Sequence, residues 1–94
     1  MTKILTKSQF ALAKAKAVSD EVEKIMEKIS LKFNEIGGPI DYLNFSVDPS
    51  LETAKVAGRV EAAVNKDLDV GRWGLFAVVE HQRNNLYTIS IKAK

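Results

Sequence analysis

Few residues in this sequence could do chemistry, and most of those stand alone. His81 is the only histidine among 94 residues. General acid–base work would need a partner group within hydrogen-bond reach, and if His81 lies in a strand its neighbour Glu80 points to the opposite face. Asp67 and Asp69, in "DLD", bring two carboxylates into what reads as a turn ending at Gly71. That is too few for the roughly six to eight oxygens of a calcium site. Ser8, Ser19, Ser30 and Ser50 sit in no nucleophile elbow and have no histidine near them in sequence. Gly37 and Gly38 read as a helix stop, and Gly71 and Gly74 flank Trp73 with no helix after them, so no phosphate-cradling loop is present. Without cysteine there is no thiolate nucleophile, no disulfide framework and no cysteine-based zinc site. The expectation is a protein that is not an enzyme, with no cofactor, no metal and no small-molecule substrate.

What remains is a set of aromatic and basic residues suited to binding. The segment "GRWGLFAVVEHQRNNLYTISIK" (71–92) holds the only tryptophan and reads as a hairpin with apolar residues on both faces. Asn84-Asn85 suits a two-residue type I′ turn, since asparagine tolerates positive φ. That turn pairs Arg83 with Leu86, Gln82 with Tyr87, His81 with Thr88 and Val79 with Ser90. One face then carries Phe76, Val78, Tyr87, Ile89 and Ile91. The other carries Trp73, Leu75, Ala77, Val79, His81, Arg83, Leu86, Thr88, Ser90 and Lys92. A turn one residue longer would flip one strand and exchange these sets.

The elements that must position these residues begin with a helix. Thr6 and Gln9 have the spacing of a capping box, and Leu5 and Phe10 that of a hydrophobic staple. Ala11, Ala15, Val18, Val22, Ile25, Met26, Ile29, Phe33 and Ile36 fall on one face, while Lys16, Asp20, Glu23 and Glu27 lie opposite. Gly37-Gly38-Pro39 ends the pattern, which predicts a helix over about 7–36. Such a helix measures roughly 42 Å, more than the about 30 Å breadth of a compact domain of this size. It therefore either breaks near Ser19-Asp20 or projects at one end.

The region from about residue 40 to 94 reads as sheet. Leu43, Phe45 and Val47 alternate with Tyr42, Asn44 and Ser46. In "AKVAGRVEAAV", Ala54, Val56, Gly58, Val60, Ala62 and Val64 occupy every second position, and three valines favour a strand. The expected fold is α+β: one domain over 1–94, with a long amphipathic N-terminal helix packed on an antiparallel four-stranded meander. The alternative makes residues 49–66 a second helix, with Asp48 as cap, Pro49 at the first position and Val56, Val60 and Val64 at spacing four. The sheet then has three strands.

With the helix on the Phe76–Ile91 face, the other face is left with an apolar patch amid basic groups, the usual mark of a contact surface. Trp73, Leu75, Val79, Tyr42, Arg59, His81 and Arg83 are the expected partner-binding residues, Trp, Tyr and Arg being the types that dominate interfaces. A competing expectation is that "MTKIL" (Ile4, Leu5) or "NKDLDVG" (Leu68, Val70) folds over the patch. The leading functional expectation is a small regulatory protein, inhibitor- or adaptor-like, that binds another protein and forms a homodimer. The alternative is RNA or single-stranded nucleic acid, with Tyr42 and Trp73 stacking bases and Lys55, Arg59, Arg83, Lys92 and Lys94 on phosphates. A net charge of +2 permits that partner without demanding it. No signal peptide or membrane span is evident, so the cytoplasm is the expected location. Size and lack of catalytic apparatus also suit an accessory protein of the kind bacteriophages use against host factors.

Overall fold

A computed structural model describes residues 6–94, and of Phe10 the backbone alone. The proposed staple of Leu5 on Phe10, and any cover by Ile4 and Leu5, lie outside the described residues. Five elements follow in order: α1 (Lys7–Ile36), β1 (Ile40–Ser46), α2 (Thr53–Val70), β2 (Leu75–Arg83) and β3 (Leu86–Ala93).

α1 starts at the capping box: the Gln9 N–H donates to Thr6 Oγ1 at 3.2 Å, and the Thr6 N–H to Gln9 Oε1 at 3.0 Å. It ends at Gly37, whose N–H makes the last helical bond, to the Phe33 carbonyl at 2.7 Å, and whose left-handed backbone (φ 73°) then turns the chain away. The helix runs without a break at Ser19-Asp20. Its length is instead accommodated by projection. Among the described side chains burial begins at Val18, Leu12 is 72% exposed, and the molecule measures 51 × 29 × 20 Å.

Residues 53–70 are helical, so the sheet has three strands rather than four. Spacing four prevails over alternation because it serves burial. Val56, Val60, Val64 and Leu68 form one buried stripe, whereas Ala54, Gly58 and Ala62 are exposed. The β preference of valine is weak enough for tertiary context to override it. Asp48 and Pro49 do not start this helix. The Asp48 carboxylate accepts the Ser50 N–H (2.9 Å) and hydroxyl (2.8 Å), closing a turn ahead of it.

The strand order is β1-β3-β2, with both neighbours antiparallel to β3. This is no meander. β1 and β2 run the same way, linked through α2, with β3 inserted between them as in a split βαβ unit. α1 and α2 run parallel to each other: Lys14 reaches Glu52, Arg59 reaches Ser19, and Phe33 meets Trp73 just past the end of α2. Both helices pack on one face of the sheet around a single core that includes Ile25, Ile29, Phe45, Val56, Val60, Ile89 and Ile91. Among the described residues no helix is long and apolar enough to cross a membrane.

The hairpin register departs from expectation by one residue. Arg83 still pairs with Leu86, but a bulge at Gln82 makes His81, not Gln82, the partner of Tyr87. Of the two turn residues only Asn84 takes positive φ (48°), so the turn is not type I′. One extra residue exchanges the faces of β2. Leu75, Ala77 and Val79 now share the inner face with Tyr87, Ile89 and Ile91. Phe76 and Val78 turn outward with Ser90 and Lys92.

Candidate functional site

The residues expected to form one patch are distributed over several surfaces. Leu75 is buried and Val79 packs against the core, both on the inner side of β2, because the bulge turned that row inward. Trp73 precedes β2, in a turn where Arg72 (φ 56°) and Gly74 (φ 68°) adopt left-handed backbone. Its ring meets Phe33 edge-on, centroids 4.9 Å apart, and remains 49% exposed. Trp73 thus closes one end of a hollow of about 220 Å³ between the helices, lined also by Met26, Ile29, Val64 and Leu68. A Cβ added at Gly71 would stand 2.7 Å from the indole Cδ1, so the ring lies directly against that glycine.

Lys55 and Arg59 are on α2, not on a strand. Arg59 Nη2 lies 3.4 Å from Ser19 Oγ. Lys94 pairs with Asp69 at 2.9 Å, and Asp67 and Asp69 belong to the last turns of α2 rather than to an open loop. His81 ends the inner row at its exposed rim. Its Nε2 is 2.8 Å from the Asn84 carbonyl and its ring 4.8 Å from that of Tyr87, so it braces the hairpin. Tyr87 in turn donates its hydroxyl to Thr53 Oγ1 at 3.1 Å.

Of the expected residues, the open face of the sheet gathers Tyr42, Arg83 and Lys92. Tyr42 is 68% exposed and shares a shallow hollow with Asn44, Glu80, Gln82, Arg83, Leu86, Thr88 and Ser90. Phe76 and Val78 continue this surface along β2, opposite Lys92 and Ser90. The sequence pattern alone puts Phe76 and Val78 in the core and Leu86 outside; in the structure all three lie on this open side. The signal that would have found them is the register of the hairpin, which its asparagine turn does not specify uniquely.

The sheet edges differ sharply. Along β2, the Asn65 side-chain amide accepts the Ala77 N–H (2.8 Å) and donates to the Ala77 carbonyl (3.1 Å), while the Glu61 carboxylate accepts the Val79 N–H (2.7 Å). α2 therefore seals that edge with side chains. Along β1, the Lys28 ammonium donates to the Asn44 carbonyl at 2.8 Å. No protein-family model, curated protein or solved structure matches this chain.

Proposed function

We propose that this chain is a non-enzymatic, cytoplasmic protein-binding module, inhibitor- or adaptor-like, that engages another protein through the open face of its sheet. The observation that carries this reading is the one-sided packing of the fold. α1 and α2 both cover the inner face, leaving Tyr42, Phe76, Val78 and Leu86 among Thr88 and Ser90 on the other. One solvated face is normal for an antiparallel sheet, but it is normally polar. Here apolar and aromatic side chains on the outer strands flank Thr88 and Ser90 of the central one, a mixed composition like that of non-obligate protein interfaces. The rim here is mixed, Glu80 standing against Arg83 and Lys92. Lys55 and Arg59 belong to the helical layer and cannot join a phosphate track on this face. That dispersion favours a protein over a nucleic acid.

The test is capture from lysate, with and without nuclease, by wild type beside Val78→Asp, Tyr42→Ala and Trp73→Ala. The expected result is a protein that survives nuclease, is lost with Val78→Asp, is weakened by Tyr42→Ala and is retained by Trp73→Ala. Its capture should change little with salt, whereas phosphate contacts weaken steeply as salt rises. Nucleic acid recovered alone, or equal capture by all forms, would refute the reading.

A further inference from the structure

We propose that a second copy of this chain docks antiparallel along the outer edge of β1 and the adjoining face of α1, joining the two three-stranded sheets into one. This goes beyond the binding role of the open face and does not depend on it. Three observations converge on this edge.

The first is the contrast between the two sheet edges. An edge strand offers a row of N–H and C=O groups to any other strand, and folds usually blunt it. α2 closes the β2 edge with three hydrogen bonds from Asn65 and Glu61. The β1 edge carries the Lys28 ammonium on the Asn44 carbonyl, a flexible and exposed group that water can replace. Because that carbonyl faces away from β3, Asn44 and its alternate neighbours present main chain outward.

The second is an apolar centre beside that edge. Leu31 of α1 is 66% exposed and shares a hollow with Leu43 of β1. Leu31 thus stays open among the described residues, and strand pairing by a copy would bring a second Leu31 and Leu43 alongside it.

The third is the charge pattern of the same face, which settles the choice of occupant. Lys24, Glu27, Lys28, Lys32 and Glu35 line this hollow, and the Lys28 ammonium is held by the Asn44 carbonyl. Reversing α1 against a copy about a point between Ile29 and Ser30 sets Lys24 level with Glu35 of the second copy and Glu27 level with Lys32 of the second copy. Leu43 shares the hollow with Leu31 and its neighbour Asn44 meets Lys28, so the strand passes α1 near this point and one two-fold axis can serve both. An isologous contact must be self-complementary in this way.

Sedimentation at micromolar concentration should give twice the 10.4 kDa chain mass. Asn44→Pro removes an outward N–H that the fold itself does not use, and should give a monomer with unchanged circular dichroism. Lys24→Glu should weaken association about tenfold, and adding Glu35→Lys should restore it. If Asn44→Pro unfolds the chain, the charge exchange alone decides. A monomer in the wild type would overturn the proposal. So would a dimer indifferent to the charge exchange, or one lost with Val78→Asp while Lys24→Glu leaves it intact, the mark of stacking through the open faces. Failure of the dimeric wild type to capture any protein would count against the open-face role and not against this one.

Discussion

The side-chain amide of Asn65 pairs with the main chain of Ala77 as a strand would, accepting from its N–H and donating to its carbonyl. It replaces, for one residue, the neighbour that β2 lacks on its outer side. Asn65→Ala should destabilise the fold by about 1–3 kcal/mol, since a partly buried N–H loses its acceptor. Asn65→Asp keeps the acceptor but sets a carboxylate against the Ala77 carbonyl, and should not rescue the loss. Urea unfolding of the two variants checks both outcomes. Equal stability to wild type in either would contradict the seal.

The one-residue shift at Gln82 is open to a direct mutational reading. Val79→Asp should destabilise by about 2 kcal/mol, because it sets a carboxylate against the core and beside that of Glu61. Val78→Asp, one residue away on the open face, should change stability by only about 0.5 kcal/mol. Thermal melts of the pair would show it, and the reverse order would restore the register of a plain two-residue turn.

Gly71→Ala should be read by fluorescence, Trp73 being the only tryptophan. The added methyl collides with the indole, which must swing away and lose its edge-on contact with Phe33. A red-shifted emission and a loss of about 1 kcal/mol from the aromatic contact are expected. Unchanged emission would mean that the ring does not rest on this glycine.

Acid should loosen the turn before α2. The Ser50 backbone N–H, and then its hydroxyl, hold the Asp48 carboxyl below the usual carboxylate range. A lowered folded-state pKa means a contribution that is complete above the ordinary value near 3.8 and fades as pH falls through the folded value. Amide shifts of Ser50 and Leu51 should therefore move only below about pH 4, and Asp48→Ala should abolish that movement. Titration of those amides near neutral pH would contradict the assignment.

α1 was legible because its signals are local. The Thr6 and Gln9 cap, the apolar face through Phe33 and the glycine stop each lie within a few residues of what they determine. The region 53–70 satisfies two periods at once, since valines at 56, 60 and 64 fit both alternation and spacing four. Only the presence of a core against α1 and the sheet decides between them. The hairpin is harder still. Whether Phe76 or Ala77 faces inward depends on one bulged residue, and both rows are apolar enough to fill a core. Ala77 is the better inner residue because its small side chain lets α2 come close enough for Asn65 to reach the strand, a reason that needs α2 to be known first. The candidate site inherits that ambiguity: Tyr42, Arg83 and Lys92 lie on the open face, whereas Leu75 and Val79 face inward.

The position of β3 also governs the order in which the molecule can be made. β1 and β2 never touch; each is held to the sheet through residues 86–93, which follow both in the chain. Until that stretch is available, neither strand has a ladder to join, and the preceding segments can form little more than two helices. The β2–β3 hairpin closes over two residues and can zip early, whereas β1 must find β3 across some forty residues, with the correspondingly larger entropy of closure. β1 should therefore be the last strand to dock and the first to leave.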